Sequence, residues 1–489
     1  MKRCLALVLV LLLSLAAAAT AGGFSRQTLH VDGKVHRVVP TDVDGDGNRD
    51  LIVSYAKDGN HTPTPRLAVF FAADGFNSAA LDFALPGDTC LWDVADLDGD
   101  KRQELILLRK WSVAFAPLTA TAAPKWSVLA KQGTGVLFPP KEGNVDYLDF
   151  ARDWTGDGAL EIAVPDYGAF VFLRAKKNKL FARAFKVRMS AQGWMRVEAD
   201  PTQTGVGERI TTGVELPQVF VVPTGRGNEL FLVRTETVTR HALTSAGAFA
   251  EKGKTQRFAI LTDAEKRAGN MMVISVVGDF NGDGRPDLMF NKCGGGLSTF
   301  KSSVQIFPGG EDGFAGAPVF SHQTDGYASM IHFRDLDGDG KKEMYLPHAD
   351  FGIAQLIRML TTKKVKLKAQ IFRGGPDMYG DKPALTRIAT FAVNTDRGMD
   401  FRGYPPNFNG DFDGDGRHDL MMSSGDGFGV YRNEGALKFS GSAMLHYVLP
   451  AREHARLADL NGDGKSECLF WDTANPAHRG EIIVLLNNL

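Results

Sequence analysis

Asp42-Val-Asp-Gly-Asp-Gly-Asn-Arg-Asp50, running directly into Leu51-Ile-Val53, is the stretch whose reading decides the fold. Acids stand at positions 1, 3, 5 and 9, and glycines at 4 and 6. Calcium is a hard cation that takes about six to eight oxygens, and alternate positions of a tight loop aim carboxylates inward while glycine permits the sharp turn. Asp42, Asp44, Asp46 and Asp50 are therefore the expected side-chain ligands, with Asn48 offering its backbone carbonyl. Gly47 sits where a positive φ is reached easily only without a Cβ.

The motif recurs six times. Asp96-Leu-Asp-Gly-Asp-Lys-Arg-Gln-Glu104 offers Asp96, Asp98, Asp100 and Glu104 with the carbonyl of Arg102, and Asp153-Trp-Thr-Gly-Asp-Gly-Ala-Leu-Glu161 offers Asp153, Thr155, Asp157 and Glu161. Asp279, Asn281, Asp283 and Asp287 form the fourth set with Arg285, and Asp335, Asp337, Asp339 and Glu343 the fifth with Lys341. Asp411, Asp413, Asp415 and Asp419 follow with Arg417, then Asp459, Asn461, Asp463 and Glu467 with Lys465. Two copies depart from the pattern. Lys101 replaces the glycine at position 6, where strain is expected, and Thr155 removes a charge at position 3.

An EF-hand closes with Glu at position 12 between helices. Here the closing acid is at position 9 and a short apolar run follows, as in Leu105-Ile-Leu107, Leu288-Met-Phe290 and Leu420-Met-Met422, so each loop is expected to join two strands. The plainer alternative is a turn whose acids only cap backbone amides. Such a turn needs one Asp and a Gly, not four spaced oxygen ligands repeated seven times.

Successive first aspartates are 54, 57, 126, 56, 76 and 48 residues apart. The gap of 126 spans two periods, and Trp194 to Asp200 with Thr204 to Gly207 reads as a degenerate loop inside it, giving eight units. A unit of roughly sixty residues has room for four strands, and such units around a ring make a β-propeller. The expected fold is therefore all-β, a propeller of eight or alternatively seven four-stranded blades. Few residues follow the last loop, so Thr28 to Val31 is expected to complete the final blade from the N-terminal side. An insertion is expected over 360–386, and Thr262 to Gly269 carries the start and stop signals of a short helix.

The chain has 489 residues and 54 glycines, which suits a large all-β protein rich in turns. Residues 1–21 combine Lys2 and Arg3, the apolar run Leu5 to Leu15 and Ala19-Thr-Ala21, the pattern of a secretory signal peptide cleaved after Ala21. Residues 22–489 are then a single propeller, secreted or periplasmic. Cys4 precedes the apolar run and cannot be the lipid-bearing cysteine of a lipoprotein. Cys90, Cys293 and Cys468 remain, an odd set that allows at most one bridge. Formal charge is −1, with 25 of the 57 acids inside the seven loops, so loading with divalent ions would leave a basic surface that favours anionic polymers.

In its loops, its period and second turns such as Ala73-Asp-Gly-Phe76, Gly309-Gly-Glu-Asp-Gly-Phe314 and Arg432-Asn-Glu-Gly435, the chain resembles the FG-GAP/VCBS repeat family of calcium-binding β-propellers, across nearly all of residues 24–489. The resemblance implies several structural calcium ions and service in adhesion, carbohydrate recognition or protein contact. The first functional expectation is a non-catalytic exported module for a glycan or extracytoplasmic protein, with no nucleic acid partner and no stable membrane insertion. The second is a polysaccharide-degrading, lyase-like enzyme on the same propeller. His322, His332, His348 and His418 are weighed as bases and read as structural. Trp111, Trp126, Trp154, Trp194, Tyr327 and Tyr404 are weighed as sugar-stacking residues and read mainly as packed between blades.

Overall fold

A computed structural model describes residues 23–489 apart from 60–61, 120–122, 177–180, 190–191, 199–208, 226, 297–299, 329, 351, 395–399 and 474. The leader expected over 1–21 lies outside the described residues.

Eight blades form a β-propeller, antiparallel throughout except for a short extra strand, Asp146–Tyr147, that runs parallel to Leu91 and Trp92 in blade 2. Blade 1 runs through Lys34–Thr41, Asp50–Lys57, Thr64–Phe70 and Leu81–Ala84, each strand pairing with the next. Blades 2 and 3 begin at Thr89 and Ala151, blade 4 at Gln218, and blades 5 to 7 at Met271, Tyr327 and Asn407. Blade 8 takes three strands from the C-terminal end, His454–Ala458, Glu467–Trp471 and Glu481–Asn487, and its outer strand from Phe24–His30. The closing strand pairs antiparallel from Phe24 opposite Asn487 to His30 opposite Glu481. It begins earlier than the sequence suggested and ends before Val31.

Strands in the middle of a blade have a neighbouring blade on both faces, so alternate side chains enter different cores. Leu51, Val53 and Tyr55 pack with Leu469 and Trp471 of blade 8, whereas Ile52 between them packs with Trp92 and Leu105 of blade 2. This explains the continuous apolar runs after each loop. The core is eight such clusters, one at every junction around the ring. A ninth, smaller cluster seats the helix Ile353–Thr362 of blade 6 against Val365, Ala389 and Phe391.

Three irregular segments differ in detail from the sequence reading. Gln192–Glu198 and Arg209–Glu215 form a separate two-stranded hairpin before blade 4, and the rest of the supposed degenerate loop lies outside the described residues. Blade 4 instead joins its first two strands, Gln218–Thr224 and Gly227–Arg234, by a short turn. In blade 6 the insertion starts with the helix Ile353–Thr362, and Lys364–Phe372 inside the expected insertion is a regular blade strand. The capped helix is Asp263–Ala268, with Thr262 Oγ1 accepting from Glu265 N at 3.2 Å and Gly269 at φ +64° ending it.

Candidate metal centres

All seven acidic loops lie between the first and second strands of their blades, blades 1 to 3 and 5 to 8. Their backbone is organised by the carboxylates themselves. The acid at position 1 accepts the amides of positions 4 and 6: Asp42 Oδ1 from Gly45 N at 2.7 Å and Oδ2 from Gly47 N at 3.0 Å. Asp411 does the same with Gly414 and Gly416, both at 2.7 Å. Position 5 accepts from position 7, as Asp46 from Asn48 N at 2.7 Å and Asp283 from Arg285 N at 2.8 Å. Glycine at position 4 is left-handed as well as glycine at position 6, Gly45 at φ +78° and Gly47 at φ +93°. Lys101 takes φ +73° in the second loop and still donates to Asp96 Oδ2 at 2.9 Å, so that loop closes at a strain cost of about 1–2 kcal/mol.

The acid at position 9 is buried and does a job the sequence reading missed. Asp50, Asp287 and Asp419 are fully inaccessible. One oxygen of each takes the amide of position 2 (Val43 N at 2.8 Å, Phe280 N and Phe412 N at 2.9 Å). The other takes an amide of the turn after the third strand, Ala72 N at 2.8 Å, Gly309 N at 2.9 Å and Asn433 N at 2.8 Å. The closing acid thus pins the acidic loop to the second turn of its own blade. The only signal in the sequence was the recurrence of glycine- and asparagine-containing turns such as Gly309-Gly310 and Asn433-Glu-Gly435. Burial raises these carboxyls, Asp50, Asp287 and Asp419 to about 6 and Glu467 to about 7.

Amide capping does not use up these groups, because an ionised carboxylate has about four lone-pair sites. Oxygens of Asp42, Asp44 and Asp50 lie within 4.8 Å of one another, as do those of Asp96, Asp98 and Glu104, Asp153, Asp157 and Glu161, Asp335, Asp337 and Asp339, and Asp411, Asp413 and Asp419. In the loops at 279 and 459 the third position is an amide, and Asn281 Oδ1 and Asn461 Oδ1 each accept from the amide two residues on at 3.1 Å. Basic side chains pair with single donor acids of the fifth and sixth loops, and in the third loop Arg174 reaches three donor oxygens at once; in the other six the set is all oxygen and net acidic, which fits a hard divalent cation.

The strand ends opposite the acidic loops carry a different surface. Trp111, Phe138 and Tyr167 are 73%, 67% and 85% exposed, the exposed aromatic side chains among the described residues. Trp111 lies in the turn between Glu104–Arg109 and Val113–Pro117, and Tyr167 in the equivalent turn of blade 3. The segment 131–138 bridges them: Thr134 N donates to Arg109 O at 3.4 Å, and Thr134 Oγ1 to Pro165 O at 2.7 Å. The Lys110 ammonium sits 5.1 Å from the Trp111 ring centre and 5.5 Å from that of Phe138. An apolar groove of about 510 Å³ between blades 3 and 4 adjoins this surface through Leu137 and Pro165.

The other weighed residues lie elsewhere in the fold. Trp154 and Tyr404 are buried, and Trp126 and Tyr327 are partly covered. Trp194 lies on the separate hairpin. His418 Nε2 accepts from Arg334 at 2.8 Å, His332 Nδ1 contacts Met330 O at 3.0 Å, and burial lowers the basicity of His322, His332, His348 and His418. Cys90, Cys293 and Cys468 are buried free thiols. No helix of the described residues is long and apolar enough to cross a membrane.

The FG-GAP-like repeat model matches residues 279–346 and 411–470, the spans of the fourth and fifth loops and of the sixth and seventh. No curated protein matches the chain. Among solved structures, a lectin of Agrocybe aegerita described as recognising non-reducing terminal N-acetylglucosamine is 12% identical, with 96% of each chain covered and a TM-score of 0.37. The V. cholerae biofilm matrix protein Bap1 is 11% identical, covering 97% of this chain and 89% of that one, with a TM-score of 0.34. The polysaccharide lyase Uly1 is 9% identical, covering 97% and 91%, with a TM-score of 0.31. Values this low carry nothing about ligand.

Proposed function

We propose that this chain of FG-GAP-like repeats is an exported, non-catalytic binding protein, its propeller stiffened by calcium and its ligand a glycan held at the ends of blades 2 and 3. The observation that carries the reading is the exposure of Trp111, Phe138 and Tyr167 on neighbouring turns, with the Lys110 ammonium beside the first two rings. Large rings left in water are unfavourable at about 25 cal/mol per Å² and are retained where something covers them. The apolar face of a sugar ring stacks on such surfaces, and a neighbouring ammonium serves its hydroxyls or carboxylates. Calcium in the acidic loops, on the other side of the ring, is structural in this reading. Loss of residues 1–21 on export leaves the closing strand, which starts at Phe24, close to the new N-terminus.

Among the described residues the lyase alternative can draw on Tyr147 and Arg456, whose charges influence each other. Burial and the charge of Asp93 push the Tyr147 hydroxyl up to about 12, away from what a base needs near neutral pH.

A panel of immobilised acidic and neutral polysaccharides tests the proposal with the parent protein and the W111A/Y167A variant. Covering about 100 Å² of indole is worth about 2.5 kcal/mol, so the variant should lose roughly fifty-fold in affinity. Equal retention of both proteins rejects the platform, and release of unsaturated products, seen as ultraviolet absorbance, replaces binding with catalysis.

A further inference from the structure

The third loop is unlike the other six. Arg174, on the strand Ala169–Ala175 of the same blade, faces the closing acid Glu161 across the sheet. Its Nη2 donates to Thr155 Oγ1 at 2.9 Å and to Asp157 Oδ2 at 2.8 Å, and the guanidinium also pairs with Glu161 Oε1. Those are the oxygens of positions 3, 5 and 9. A fourth acceptor, Gly247 O of blade 4, lies 3.4 Å from the same nitrogen. Glu161 is fully buried, so its charge needs a partner there.

Two further blades carry arginine beyond the strand end near the closing acid, and these show what position 3 decides. Arg373 follows Phe372, which pairs with Met344, and reaches Asp337 Oδ2 at 3.4 Å. Arg432 follows Tyr431, which pairs with Leu420, and reaches Asp413 Oδ2 at 2.6 Å. In both loops that arginine meets the third-position carboxylate, the basic residue of position 7, Lys341 or Arg417, pairs with position 5, and among the described residues no cation reaches the closing acid. Threonine at that position in the third loop carries no charge to hold the guanidinium, and Arg174 bonds the oxygens of positions 3, 5 and 9 together.

We infer that the third loop is closed to metal, and that the Arg174 guanidinium supplies the positive charge its carboxylates require. The inference rests on the calcium reading of the other six loops. A tethered cation costs no binding equilibrium and is indifferent to chelators. Blade 4, which has no acidic loop, is braced in a related way, with Arg240 on Glu229 at 2.6 Å and on Glu311 O at 3.0 Å. Blades 3 and 4 therefore form the metal-independent arc of the ring.

Amide hydrogen exchange of the full chain with calcium and with chelator tests this without any variant. Calcium should slow exchange in the six other loops and leave 153–161 unchanged. Comparable slowing of 153–161 overturns the inference. If no loop responds, the calcium reading fails, and Arg174→Gln in chelator then decides the role of Arg174: exchange over 153–161 should accelerate at least tenfold, and unchanged protection overturns it. The double variant T155D/R174Q should turn 153–161 into a calcium-responsive loop, and continued indifference in a folded variant also counts against the inference.

Discussion

Removing the Phe24 side chain should unfasten the ring where the N-terminal strand completes blade 8. Phe24 is fully buried and packs edge-on against Phe412, Phe428 and Tyr447 of blade 7, with ring centres 6.3, 6.1 and 5.9 Å away. Phe→Ala at such a site costs about 3–5 kcal/mol, the transfer term plus the cavity left behind. Leu29, five residues on and on the other side of the strand, packs into the cluster shared with blade 1, and Leu29→Ala adds about 2–5 kcal/mol. The two sites share no partner, so their costs should add, to a sum comparable with the stability of a whole domain at about 5–15 kcal/mol. Arg26→Ala on the same strand is the control. Its ion pair with Glu481 is long, at 3.7 Å, with the arginine exposed, and is worth at most about 1 kcal/mol. Guanidinium unfolding gives the costs, and hydrogen exchange over 481–487 reports whether the closing strand has detached. A cost below about 1 kcal/mol for Phe24→Ala, or unchanged protection of 481–487 in the double variant, would refute the closure.

Chelation should lower the unfolding midpoint substantially, since an ion at ten times its dissociation constant contributes about 1.4 kcal/mol per site, or about 8 kcal/mol over six loops; an unchanged midpoint would remove metal from the account of stability. Asp93 gives a pH dependence outside the loops. It is fully buried, its Oδ2 accepts from Phe150 N and Ala151 N at 2.7 Å each, and burial raises its carboxyl to about 7. Its contribution is therefore complete below about pH 4 and lost as pH rises through 7, at most about 4 kcal/mol, and Asp93→Asn should flatten that part of the stability profile measured in chelator. The three thiols are buried, with burial pushing Cys90 up to about 11, so the native protein should resist alkylation at pH 8. After unfolding, three reacting thiols mark a chain without its leader and four a chain that keeps Cys4.

Much of the site was legible because metal-loop chemistry is local. Asp42, Asp44, Asp46 and their equivalents lie within nine residues, so their spacing alone specifies the turn they make. The apolar runs behind them revealed strands for the same reason, since a strand covered on both faces needs no alternation. Blade 4 was misplaced because nothing at Gln218–Thr224 distinguishes a blade that has no acidic loop from a connecting strand. The exposure of Trp111 and Tyr167 was equally invisible: a tryptophan buried in a junction and one presented by a turn have the same neighbours in sequence.

The amino-acid sequence by itself determined the repeat, the strand–loop–strand unit and the oxygen donors of each loop, all of which depend on residues a few positions apart. Tertiary structure alone decided which of those oxygens a guanidinium covers. Arg174 stands thirteen residues beyond Glu161, and it reaches Thr155, Asp157 and Glu161 only because antiparallel pairing folds its strand back across the loop. Pairing also decided the closure of the ring, because the contact of Phe24 with blade 7 exists only once blades 1 to 7 have brought the two ends of the chain together.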